Sequence, residues 1–218
     1  MNAPRRVAVL ASGGGSNCDA LCAAIAALGP AAPAQVVLVV SNRATAAVLT
    51  RAAARAIPTA VLTDPNDGEA LQTLLASHAI DLVVLAGYLK LVPVAVTRAF
   101  AGRIVNVHPA LLPAFGGHGM YGLRVHAAVL AAGCTVTGVT VHLVDEQYDR
   151  GAILAQWPVP VLSGDTAESL AARVLLTEHR LLPRAVLALA TAGPSGLVRT
   201  SASPAFALTD DLSRVAAE

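Results

Sequence analysis

Arg6-Val7-Ala8-Val9-Leu10-Ala11-Ser12-Gly13-Gly14-Gly15-Ser16-Asn17 is the stretch whose reading decides the fold. An apolar run of strand length breaks into a glycine turn, and an Ala/Leu-rich helical segment follows from Ser16 to about Leu28. The same alternation recurs down the chain. Strands are expected at Arg6 to Ala11, Gln35 to Val40, Thr59 to Leu62, Asp81 to Ala86 and Ile104 to Val107, with helices between them at Ser16 to Leu28, Thr45 to Ala56, Asp67 to His78 and Pro93 to Ala99. Strand and helix in turn predict an α/β, doubly wound, mostly parallel sheet with right-handed crossovers and helices on both faces, a Rossmann-like arrangement. Two more strands, Gly138 to Val144 and Ile153 to Val161, are expected to be partly antiparallel, and a last helix from Thr166 to about Leu189 should cover the sheet. No shift in composition divides the 218 residues, so a single domain is expected, with its core over about 5–190 and a short strand or loose tail over 191–218.

Sheets of this kind bind ligands beyond the carboxyl ends of their strands. Ser12 to Asn17, Gly87 to Leu91 and Asn106 to His108 all fall at such ends. In the first of these, free backbone N–H groups and the positive end of the helix face outward, with Ser16 expected as N-cap, so an anion should sit there. The loop is not of the kinase type, because no Gly-Lys-Ser/Thr follows. As a dinucleotide fingerprint it lacks the third glycine, and the second strand ends in Ser41-Asn42-Arg43 where an acidic residue would be wanted for a ribose. A single phosphate on a small substrate fits better, held by Gly15, Ser16 and Asn17.

Asn106-Val107-His108-Pro109-Ala110-Leu111-Leu112-Pro113 carries the chemistry. On a strand, the period of two puts Asn106 and His108 on one face. An amide that holds a developing oxyanion beside an imidazole that donates or relays a proton suits attack on a carbonyl. His142-Leu143-Val144-Asp145-Glu146-Gln147-Tyr148-Asp149 closes a later strand with three carboxylates, any of which is chemically able to favour the His108 cation and take a proton from an attacking amine. His78, His118, His126 and His179 have no identifiable partner and are expected at the surface.

Composition excludes several classes. Hydrophobic residues make up 55% and charged ones 13%, yet Gly, Pro or a charge interrupts every apolar run well short of the ~18 residues a membrane span needs. Arg5-Arg6 before Val7 to Ala11 is too short to be an export signal. A net charge of +1, with Lys90 the only lysine and no basic run, gives no support for nucleic acid or anionic lipid as a partner. Three cysteines, of which Cys18 and Cys22 sit at helical spacing, make neither a disulfide framework nor a zinc site. A reduced cytoplasm and no metal are expected.

Together, Gly13-Gly14-Gly15-Ser16-Asn17, the segment Asn106 to Pro113 and the spacing of His142 to Asp149 resemble the folate-dependent formyltransferases, whose pattern is matched in order from about Val7 to about Leu189. The resemblance implies direct transfer of a formyl group from 10-formyltetrahydrofolate, a cosubstrate, to a primary amine, with no covalent enzyme intermediate. It selects Asp149, seven residues after His142, over Asp145 and Glu146 as the partner of Asn106 and His108. It places the folate against Tyr88, Leu89, Lys90, Leu91 and Val92 and against Val144 and Asp145, mainly through backbone groups. It matches Glu178 to the family glutamate that receives the substrate amine, where the residue alone would read as a solvated carboxylate. With the glycine loop, Glu178 favours the ribonucleotide 5'-phosphoribosylglycinamide, the acceptor in de novo purine biosynthesis, over a sugar nucleotide. Small-molecule substrates and a monomer or homodimer are expected.

Departures from the family pattern are also visible. Many members carry a basic residue in the loop before the fourth strand that helps to hold phosphate, but Asp64-Pro65-Asn66-Asp67-Gly68 has none. Residues 114–122 are about five longer than in shorter family versions, which points to an altered lid. Arg150 stands where glycine is common. Among rival members, the methionyl-tRNA enzyme would need an RNA-binding domain after residue 200, and the formyltetrahydrofolate hydrolase normally carries a regulatory domain before the first strand.

Overall fold

A computed structural model describes residues 3–192. Its elements are β1 (Arg5–Leu10), α1 (Ser16–Ala27), β2 (Ala34–Ser41), α2 (Ala47–Ala54), β3 (Thr59–Val61), α3 (Gly68–Ser77), β4 (Leu82–Leu85), α4 (Val94–Ala99), β5 (Ile104–His108), α5 (Leu123–Ala131), β6 (Val136–Leu143), β7 (Ile153–Pro160) and α6 (Ala167–Ala192). The expected strand or tail from about Pro194 lies outside the described residues, and the last helix runs to Ala192 rather than ending near Leu189.

All seven strands form one sheet in the order β3-β2-β1-β4-β5-β6-β7. The five from β3 to β5 are mutually parallel, and β6 pairs antiparallel with both β5 and β7, so β6 alone runs against the rest. The winding reverses between β1 and β4, which opens a crevice at their carboxyl ends. Ser12 bridges it. Its backbone N–H donates to Gly87 O at 3.0 Å, its hydroxyl donates to Asn42 Oδ1 at 2.7 Å, and the Leu89 N–H donates to that hydroxyl at 3.0 Å.

Alternation along β1 divides the core. Val7 and Val9 face a layer built from α1, α2, α5 and α6, while Ala8 and Leu10 face α3 and α4 through Leu71, Leu75 and Val96. The parallel strands β1, β2 and β4 are buried on both faces over most of their length, which explains why they read as unbroken apolar runs. Ser16 is not the N-cap of α1. That position belongs to Gly15, in the left-handed region at φ 84, and no side chain caps the helix. A Cβ on Gly15 would lie 2.5 Å from Cγ2 and 2.9 Å from Cα of Val48, so the third glycine of the loop is required by packing against α2. Helix α5 occupies a stretch where the periodicity suggests no element, because it follows a Gly-rich loop with no side-chain cap to announce it.

Candidate active site

Strand β5 brings Asn106 and His108 to one face, as alternation requires, and β6 sets His142 directly opposite Asn106 and Thr140 opposite His108. The segment after His108 is pinned to β6 and β7. Thr140 donates its hydroxyl to Ala110 O at 2.6 Å and accepts from Leu112 N at 3.0 Å, while Gln156 donates to Leu112 O at 2.8 Å. Gly138 leaves room for Leu111, which would lie 2.6 Å from a Cβ there. His108 is therefore held at a fixed point at the strand end, with 3% of its surface exposed.

Asp149 lies at the centre of the cluster. Its Oδ1 is 3.4 Å from Asn106 Nδ2 and 3.5 Å from His142 Nε2. Its Oδ2 accepts from Gly117 N at 2.8 Å and stands 3.5 Å from His108 Nδ1. Its backbone is left-handed at φ 56, a conformation that Asp and Asn tolerate better than other side chains. The structure thus brings Asn106, His108 and Asp149 together and adds His142. His142 turns Nδ1–H toward Leu143 O at 2.7 Å, so its Nε2 accepts from Asn106 at 3.1 Å.

Electrostatics differ from expectation in one respect. Burial lowers the His108 pKa below the ordinary value for histidine, and this outweighs the opposing pull of Asp149. The expected His108 cation belongs to the reaction itself, and in the ligand-free protein burial favours the neutral ring. Its Nε2–H donates to Phe115 O at 2.8 Å, which leaves the Nδ1 lone pair toward Asp149. A proton delivered between these two atoms is shared by both. Burial works against the Asp149 carboxylate, but the neighbouring His142 and His108 rings and the Gly117 N–H together lower its pKa, so it is ionised at neutral pH.

A cavity of about 920 Å³ opens over this cluster. Tyr88, Leu89, Lys90, Leu91, Val92 and Val144 line it, whereas Asp145 does not, and its carboxylate caps Gln147 N at 2.8 Å instead. Near the glycine loop the wall includes Ser12 but not Gly15, Ser16 or Asn17. The Asn17 amide donates at 2.6 Å to Oε2 of Glu178, which does line the cavity from α6. Burial pushes the Glu178 carboxyl up to about 7. Glu178 is therefore no solvated surface group.

Several wall residues escaped the sequence reading. Asn42 and Arg43 follow β2 at a point read only for the acidic residue it lacks, and Arg43, Lys90 and Arg124 set positive charge around the rim, where the loop at residue 65 has none. Residues 117–122 of the 114–122 loop line the cleft, with His118 packed edge-on against Tyr148 at 5.8 Å between ring centroids. His126, expected at the surface, is buried in the wall at 3% exposure. Arg98, through its bond to Glu146 at 2.8 Å, ties α4 to the loop that carries Asp149. Among the described residues no group of His, Cys, Asp and Glu side chains is placed to hold a metal ion, and no helix is long and apolar enough to cross a membrane.

Comparison with known proteins agrees with this geometry. The formyl transferase family matches residues 5–186. A chloroplastic phosphoribosylglycinamide formyltransferase of Arabidopsis thaliana is 46% identical over 190 residues, which are 82% of this chain but only 63% of that protein. The chain thus spans under two thirds of the plant relative. A phosphoribosylglycinamide formyltransferase of Mycobacterium tuberculosis is 45% identical over 206 residues, 92% of each chain. The crystal structure of phosphoribosylglycinamide formyltransferase from Anaplasma phagocytophilum superposes with a TM-score of 0.79 at 40% identity, covering 85% of this chain and 86% of that one. With sequence, sheet and cleft in agreement, the chain belongs to the formyl transferase family and groups there with the phosphoribosylglycinamide formyltransferases.

Proposed function

We propose that this chain transfers the formyl group of 10-formyltetrahydrofolate to the amine of 5'-phosphoribosylglycinamide in de novo purine biosynthesis. The observation that carries the proposal is the convergence of Asn106, His108 and Asp149 in the wall of a cavity that Glu178 also lines. The substrate amine attacks the formyl carbon, a C–N bond forms, and the carbonyl electron pair moves onto oxygen. The Asn106 amide stabilises that oxygen, where donors are worth most, and His108 joins it as a cation once the amine proton reaches the Asp149–His108 pair. The amine proton passes, directly or through water, to the Asp149–His108 pair. Collapse of the intermediate breaks the bond to folate N10, which leaves with a proton, so one proton lost by the acceptor balances one gained by the folate.

Glu178 receives the substrate amine. Its raised pKa suits this role, because a carboxylate held near 7 accepts the extra proton of an arriving ammonium and leaves the free amine that attacks. The substrate phosphate is assigned to Gly15, Ser16 and Asn17 through the backbone N–H groups at the start of α1, and the folate to the backbone of 88–92 and of 144–145. The reaction uses no metal, and the whole chain acts as one domain, as a monomer or homodimer in the cytoplasm. The test is to supply 10-formyltetrahydrofolate with phosphoribosylglycinamide, with a sugar-nucleotide amine, or with water alone. Release of tetrahydrofolate only with phosphoribosylglycinamide is expected. Equal release with water alone would convert the reading to a hydrolase.

A further inference from the structure

His126 is a buried polar residue that the chemistry above leaves unused. It lies in the second turn of α5, lines the cavity, and has 3% of its surface exposed. Its Nδ1 is shut off from solvent with no hydrogen-bond partner. The edge of the ring that meets the cavity is therefore the Nε2 edge. A buried lone pair without a partner costs less than a buried N–H without one, so the ring proton sits on Nε2.

We propose that His126 is a binding residue of the cleft, whose Nε2–H donates to an acceptor oxygen of a bound substrate. Burial of the ring and the nearby His108 both lower its pKa, so it stays neutral and offers one fixed donor where a lysine or arginine would bring charge beside the cluster. Among the described residues no group accepts from His126 Nε2 in the ligand-free protein, which leaves that N–H for a partner that is present only part of the time. A histidine kept for packing alone would instead have both nitrogens satisfied or would be replaceable by a leucine without consequence. Folate and ribonucleotide both carry acceptor oxygens, and the inference rests on the reading that this cavity takes them.

The test uses calorimetric titration of the full chain with tetrahydrofolate and, separately, with phosphoribosylglycinamide, alongside thermal melting without ligand. His126→Leu is expected to raise Kd about five-fold for one of the two ligands, the scale of one neutral hydrogen bond, and to melt at or above the wild-type temperature because a buried unpaired nitrogen is gone. His126→Gln, whose amide overlays Nε2, should restore binding to within about two-fold, whereas His126→Asn, whose amide overlays Nδ1, should not. Which titration weakens identifies the ligand. Unchanged affinity for both ligands in His126→Leu overturns the inference, as does a fall in melting temperature with rescue by Asn instead of Gln. Should His126→Leu fail to fold, the Gln and Asn variants decide between the same outcomes. Failure of the wild type to bind either ligand would sink the parent reading and this one together, whereas binding by the wild type with an indifferent leucine variant sinks this one alone.

Discussion

Asp149→Asn is the sharpest perturbation of the proposed chemistry, because it removes a charge while preserving shape. Asparagine tolerates the left-handed backbone at φ 56, so the loop is expected to keep its course, which alanine would not guarantee. The contacts at stake are the Oδ2 bond to Gly117 N at 2.8 Å, which the Asn side-chain oxygen still accepts, and the approach of His108 Nδ1 at 3.5 Å. Unit charges at 3.5 Å attract by about 5 kcal/mol at an effective dielectric of ~20. That attraction is what offsets the burial of a His108 cation during the reaction. Its loss corresponds to about 10³- to 10⁴-fold in rate, and removal of an acid/base group commonly costs 10²-fold or more, so kcat/KM should fall by about 10² to 10⁴. Stability supplies an independent check. The depressed Asp149 pKa contributes stability that is present above its unfolded value and lost as pH falls through its folded value. The asparagine variant should therefore be less stable than wild type at neutral pH, with the two converging in acid. Steady-state formyl transfer and melting across pH measure both effects, and turnover near that of the wild type would remove Asp149 from the mechanism.

Three further outcomes are expected. His108→Ala should lower formyl transfer about 10²-fold or more, measured as release of tetrahydrofolate, with full activity excluding the imidazole. Burial raises Glu178 to about 7, so its contribution to ligand-free stability is full below the ordinary carboxylate range and lost as pH rises through about 7. Glu178→Gln should flatten that part of the melting profile while weakening binding of phosphoribosylglycinamide, and an unaltered profile would contradict the assignment. In the glycine loop, Gly15→Ala should cost about 1–3 kcal/mol in denaturant unfolding, since φ is 84 and Val48 is in the way. Gly14→Val, with nothing within 4 Å of its Cβ, should fold normally and weaken ribonucleotide binding. Unchanged affinity would count against a phosphate at this loop.

The fold is legible in residues whose local preference and final environment agree. Val7 to Leu10, Val36 to Val40 and Leu82 to Leu85 are apolar on both faces because the parallel strands are covered on both faces, and Asn106 and His108 share a face because strands alternate. Asp149, by contrast, is singled out only by family spacing, since Asp145 and Glu146 offer the same chemistry. What fails to show in the sequence depends on contacts between distant segments. Asn17 reads as part of an anion loop, yet its amide serves Glu178, 161 residues away. His108 reads as an imidazole favoured as a cation by a carboxylate, and only its burial shows that the ligand-free ring favours the neutral form. His126 reads as a surface histidine because helix α5 has no side-chain cap or clear stripe to reveal which way it faces.

Register between β5 and β6 has a consequence for how such a protein diversifies. Asn106 is locked opposite His142, and His108 opposite Thr140, within the hydrogen-bonded centre of the sheet, where a shift of one residue would turn every side chain to the other face. Another part of the cleft wall, residues 117–122, is a loop whose length can change without disturbing a single strand pair. Reaction type is thereby the conservative property of this architecture and acceptor choice the adaptable one, so lineages that acquire new substrates should differ first by insertion or deletion around the lid.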